Sequence, residues 1–541
     1  MSLLSKLVIV FVVIFQLTGC GGGGSSSGSS DLSSGPTTLP PATDPEPPPA
    51  TDPEPPPAPD PEPPPAPDPE PPPAPEPVDP PELGDLVIYI TDGDVDGVDE
   101  LYLADTATPG VASRLNADLV AGGNVTDFII SADNSRVLYR ADQDTDEVFE
   151  LYLVDIATPG SSTRINGLLV SGGDVSEDFV FSPDGSQVVY RADEDVNGVN
   201  ELFLVNVASP GFGANLSGPL VSGGDVFSGF QFTPDGSRVI YFADELSNGI
   251  NELFVVDASM PGVSTRMNGP LVPGGDVYTN FVITPDSMQA VYIADETADN
   301  VIELFVVDLA VPGVSTTLSA PLVAGGDVTS GLLLSPDGAT LAYRADQNLN
   351  DVFELFVVDL SNPGVSMRIN RNPASGGDVL SGGYRFSPAS DAVAYVADED
   401  TNNINELYLV ELASPAVSIK LNSPLVTAGD LSGDIAFTPE GTELVYSADQ
   451  DTDGVNELYQ VSRSAPGDTV KLNSPLTAGG NVSAAGFEIS SDGKRLVYLA
   501  DQDADEDFEL YMVDLETPGS TVKINPLLPP GGDVIRFVLL P

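Results

Sequence analysis

Asp92, Asp94 and Asp96, followed by Gly97 and Glu100, place acids at alternate positions just ahead of an apolar run. Calcium takes roughly six to eight oxygen ligands, and alternate carboxylates around a glycine bend can wrap such oxygens about one centre. The pattern is not isolated. Asp449, Asp451, Asp453 and Glu457 repeat it with Gly454, and Asp193, Asp195, Asn197 and Glu201 repeat it with Gly198. Asp142, Asp144, Asp146 and Glu150, then Asp398, Asp400, Asn402 and Glu406, then Asp501, Asp503, Asp505 and Glu509 keep the oxygens without the glycine. Three further copies are degraded, with Leu246, Thr297 and Asn348 at the second ligand position.

The first six positions match an EF-hand loop, but Leu103 stands where that loop closes with a bidentate Glu, so closure here falls to Glu100. This spacing resembles the calcium loops of integrin alpha-chain propellers, which use Asp at that place, in a different inter-strand loop. The competing reading is a hairpin turn, since Asp, Asn and Gly are the preferred turn formers. It explains those residues but not a Glu in all nine copies, at a fixed distance from the first Asp, in a setting where strands disfavour Glu. Two carboxylates about 5 Å apart repel by about 0.8 kcal/mol in water and several-fold more at a protein surface, so such a hairpin invites a cation. Calcium is the expected one.

The elements that position these acids repeat with them. Glu-Leu-Tyr/Phe begins at Glu100, Glu150, Glu201, Glu252, Glu303, Glu354, Glu406, Glu457 and Glu509, a period of 50 to 52 residues. Within a period, apolar residues alternate and turn residues separate short runs, the pattern of half-buried strands. In the third copy this predicts strands over Phe179–Phe181, Val188–Arg191, Glu201–Val205 and Ala214–Leu216. Four short antiparallel strands per period make a propeller blade.

The turn Ser182-Pro183-Asp184-Gly185 after an aromatic strand recurs at Thr233-Pro234-Asp235-Gly236 and Ser335-Pro336-Asp337-Gly338. With the acidic hairpin and its Glu-Leu-Tyr/Phe, it resembles the repeat of TolB-type, WD-like β-propellers. The resemblance covers Gly84 to Pro541 and implies an all-β, single closed propeller. Ser387-Pro388-Ala389-Ser390 and Thr284-Pro285-Asp286-Ser287 depart from the turn pattern. The domain opens on a second strand, Leu86–Ile90, and closes on a first strand, Ile535–Leu540, so the last strand completes the first of nine blades and removes both sheet edges. The hairpins and the Gly-Gly-Asp/Asn loops between blades then share one acidic face. The Asp or Asn of those loops (Asn124, Asp174, Asp225 and their counterparts) reads as a cap on backbone amides, and the repeated tyrosines from Tyr89 to Tyr498 as core packing.

Ahead of the propeller, residues 1–19 read as an export signal: Lys6, then an apolar Leu7–Phe15 too short to span a membrane. Leu17-Thr18-Gly19-Cys20 resembles the lipobox of bacterial lipoproteins, which implies cleavage before Cys20 and lipidation of its sulfur. Gly21 in place of the Asp of inner-membrane retention signals points to the outer membrane, with its side left open. Cys20 is the sole cysteine, so no disulfide framework exists. Residues 20–83, Gly/Ser-rich and then Pro-rich, cannot pack a core and read as a disordered, extended tether.

The chain of 541 residues sets 82 acids against 19 Lys plus Arg, a net charge of −63. That argues against nucleic acid and anionic membrane surfaces and for solvation, cations or basic partners. It contains no His, so a Ser nucleophile lacks its usual base, and chemistry needs one asymmetric constellation rather than nine equivalent ones. The expected function is therefore not enzymatic. It is a lipid-anchored, monomeric cell-envelope scaffold with calcium-bearing hairpins that binds a protein or glycan. The alternative is a structural or TolB-like periplasmic adaptor without metal, and a hydrolase or lyase ranks last.

Overall fold

The computed structural model describes residues 85–371, 376–415 and 417–540. The segments read above as an export signal and a tether, with Cys20, lie outside the described residues. Nine four-stranded antiparallel sheets follow one another along the chain. Blade 3 is typical: Val175–Phe181, Gln187–Ala192, Glu201–Asn206 and Ala214–Asn215, paired in that order from first to fourth strand. Its first strand starts four residues earlier than the alternation predicts, because a register shift between Val175 and Phe179 interrupts the apolar period without ending the ladder. In blades 4 and 6 the first strand keeps only Gln231–Phe232 and Leu333–Leu334, plus the isolated bridges Val226–Ala243 and Val328–Ala345.

The ring closes as expected. Val534–Leu539 pairs antiparallel with Leu86–Thr91, so the last strand of the chain is the first strand of blade 1. Apolar packing lies between blades rather than within them. Each hydrophobic cluster joins two consecutive blades, and the cluster of Val87, Tyr89, Val497, Leu499 and Phe537 joins blade 9 to blade 1. A strand pair cannot bury both faces alone, and stacking each sheet on the next supplies the missing cover.

The second-strand tyrosines are core, as expected: Tyr139, Tyr190, Tyr241, Tyr292, Tyr343, Tyr395, Tyr446 and Tyr498 are fully buried. Each stacks on the aromatic residue of the third strand, at ring-centroid distances from 5.5 Å (Tyr139–Tyr152) to 5.9 Å (Tyr89–Tyr102). The hydroxyl then reaches into the hairpin base, where Tyr446 donates to Gln450 (2.7 Å) and Tyr190 to Glu194 (2.6 Å). That post fixes where the acidic hairpin begins in blades 2 to 9, whereas in blade 1 Gly93 stands in place of the acceptor.

Candidate functional site: the nine acidic hairpins

The first Asp of each hairpin is a backbone clamp. In blade 8, Asp449 Oδ2 accepts the N–H of Gly454 (2.8 Å) and Oδ1 accepts the N–H of Asp430 in the preceding inter-blade loop. Asp430 in turn accepts the N–H of Asn405, in the hairpin of blade 7. The same relay runs around the ring and closes on itself: Phe508 N–H donates to Asp533 (2.7 Å), and Asp533 N–H donates to Asp92 (2.6 Å). The Gly-Gly-Asp/Asn loops are thus amide caps, and both carboxylate oxygens of the first hairpin Asp already hold backbone donors.

The residue five places after that Asp donates the closing bond and takes a left-handed backbone in every hairpin. Gly97, Gly198, Gly249 and Gly454 do so freely, whereas Glu147, Asn300, Asp351, Asn403 and Glu506 do so with a side chain. The glycine that the calcium pattern highlights therefore serves the turn. The third acid packs on the preceding inter-blade loop: a Cβ on Gly122 would stand 2.5 Å from Asp146 Oδ1, and one on Gly123 2.8 Å from the Asp142 carbonyl. This close approach explains the Gly-Gly pair.

The Glu that no turn rule explained has a partner that the sequence reading missed. Fourteen residues on, the fourth strand carries a base whose cation meets the Glu carboxylate. Arg114 bridges Glu100 (2.7 Å), Arg164 Glu150 (2.7 Å), Arg266 Glu252 (2.8 Å), Lys420 Glu406 (2.7 Å), Lys471 Glu457 (2.5 Å) and Lys523 Glu509 (2.5 Å), and Arg368 bridges Glu354. Register produces the contact: Tyr459 lies opposite Lys471, and Glu457 is two residues before Tyr459 on the same face. In blades 7 to 9 the lysine also holds the second Asp, at 3.3 Å for Asp400 and 2.8 Å for both Asp451 and Asp503. Tyr102, Tyr152, Tyr408, Tyr459 and Tyr511 donate to the Glu of their own blades.

Two blades lack the base. Asn215 in blade 3 donates its amide to Glu201 (2.7 Å), and Thr317 stands at the same place in blade 5, where Thr297 donates to Glu303. Burial follows pairing. The seven Glu residues with a base are only 3 to 7% exposed, whereas Glu201 and Glu303 are not buried. Removing a carboxylate from water is costly unless a cation and hydrogen bonds replace the solvent.

Titration shifts follow the same contacts. Burial works against the charge of Lys471 and Lys523, but the Asp and Glu carboxylates around each outweigh it and raise both above the usual lysine range. The Lys523 ammonium holds Asp503 below the ordinary carboxylate range. Asp99, in the hairpin of blade 1, goes the other way, to about 6, through burial and then the charge of Asp92.

A calcium ion would need the first Asp, the second and third acids and the Glu as ligands. Among the described residues no group of three or more acids comes together in a metal-holding arrangement. The donor sets differ in one respect that bears on this: each oxygen of the first Asp keeps one lone pair beyond its backbone amide, but in seven blades the Glu is already taken by a base. Blade 3 alone combines Asp193, Asp195, Asn197 and Glu201 with no Lys or Arg at the fourth-strand place.

No protein-family model matches the chain. No curated protein matches it either. Solved structures do. A eukaryotic initiation factor superimposes with TM-score 0.53 at 11% identity, covering 84% of this chain and 98% of the other. Dipeptidyl peptidase 4 of Porphyromonas gingivalis gives TM-score 0.50 at 12% identity, covering 73% of this chain but only 59% of the peptidase. At such identity the likeness shows the β-propeller fold alone.

Proposed function

We propose that the chain is a non-catalytic binding ring of the bacterial cell envelope, TolB-like in its repeat and held at the outer membrane through a lipid on Cys20. The observation that carries this is the recurrence of the same hairpin, with its clamping Asp and its Glu, in all nine blades, which leaves no single asymmetric constellation. One face of the ring presents a repeated acidic surface, and the chain contains no His to serve as a base. Second and third hairpin acids such as Asp94, Asp96, Asp453 and Asp505 supply outward charge, which suits a basic region of an envelope protein. The seven internal bases favour the adaptor reading without metal over a calcium-stiffened adhesin. The calcium expectation narrows to the hairpin of blade 3, where Asp193, Asp195, Asn197 and Glu201 would supply the oxygens.

The test is a pull-down from envelope extract with the intact lipidated chain, in calcium and in chelator. A retained basic protein, released as salt rises and indifferent to chelator, supports the reading. Retention only in calcium, or turnover of a peptide or glycan by the ring, overturns it.

A further inference from the structure

The geometry points to a built-in replacement for a metal: in seven of the nine hairpins the fourth-strand Lys or Arg is the counter-ion of the Glu, in blades 7 to 9 it gathers the second Asp as well, and these hairpins do not bind calcium. Three independent features carry this. The base sits at one register position in blades 1, 2, 4, 6, 7, 8 and 9 and reaches the same Glu each time. In blades 7 to 9 a single ammonium joins the second Asp and the Glu, two of the residues that a calcium loop would use as ligands. The Glu is buried where the base is present and not where Asn215 or Thr317 replaces it. An ammonium with its three donors can satisfy two carboxylates at once, whereas a divalent cation next to it would face a like charge.

The reading without metal draws on these same bases, but what the ring binds does not enter this inference, so its experiment reads the ring alone. Calcium stoichiometry is measured on the purified full chain by titration calorimetry, with terbium luminescence as a second probe. At most one equivalent is expected. Lys471→Met is then compared with the wild type and with Lys471→Met/Glu457→Gln by thermal melts in chelator. The single variant should lose several degrees, because Glu457 remains buried without a counter-ion. The double variant should regain at least half of the loss, which a merely space-filling role for Lys471 would not produce. Should Lys471→Met not fold, the double variant and the wild-type stoichiometry decide the matter. Binding of six equivalents by the wild type, or a double variant no better than the single one, overturns the proposal.

Discussion

The hairpins of blades 8 and 3 carry nearly the same acids, Asp449, Asp451, Asp453 and Glu457 against Asp193, Asp195, Asn197 and Glu201, and both bend at a left-handed glycine. Around the Glu they differ at two places outside the hairpin, Lys471 against Asn215 and Tyr459, which donates to Glu457, against Phe203; blades 4 and 6, with Phe254 and Phe356 beside a buried and salt-bridged Glu, single out the fourth-strand residue. With the lysine, Glu457 is buried and salt-bridged at 2.5 Å. With the asparagine, Glu201 stays partly in water on a neutral hydrogen bond of 2.7 Å. The local sequence thus fixes the shape of the turn, while a residue on another strand decides the electrostatic state of its acids.

The largest effect should not distinguish the two blades. Asp449→Ala and Asp193→Ala each strip two backbone amides of a charged acceptor, and each should cost about 2 to 4 kcal/mol in urea unfolding. A difference between them would show that the clamp depends on the base. Next, Lys471→Met should cost about 1 to 3 kcal/mol, discounted for a lysine side chain 34% exposed, while Asn215→Met should cost under about 1 kcal/mol. Equal losses would break the comparison.

Asp99→Asn probes a hairpin acid that no base relieves. The folded chain holds the Asp99 proton up to about pH 6, whereas an unfolded Asp releases it near its ordinary value of 3.8. The charged form therefore costs the folded state nothing below about pH 4, progressively more up to pH 6, and a constant amount above. The substitution should gain about 1 kcal/mol at pH 7 and nothing at pH 3.5, read from chemical unfolding at the two pH values. The smallest effect should come from Asn215→Lys, which supplies blade 3 with the missing cation. A gain of about 0.5 kcal/mol is expected, with chelator and calcium giving the same melting temperature.

Much of this fold was legible because propellers write it locally. The 50- to 52-residue period, the alternation and the unpaired strand at each end of the domain predict nine closed blades without any long-range contact. The Gly-Gly-Asp caps and the core tyrosines were legible too, because each follows from a local preference. The partner of the Glu was not. Alternation says which face a residue occupies, but not which residue of the next strand stands beside it, and that register placed Arg114 and Lys471 next to Glu100 and Glu457. A signal was present, since a Lys or Arg follows the Glu by 14 residues in seven copies.

The most direct test is the melting temperature of the unmodified chain in millimolar calcium and in chelator. Six occupied sites at tenfold excess over Kd would add about 8 kcal/mol, a shift of several degrees for a ring of this size. If the cation of the hairpins is internal, the two melts agree within about 2 °C, the allowance for blade 3. A fall of several degrees on chelation would mean that calcium, and not the fourth-strand bases, holds the acidic face together.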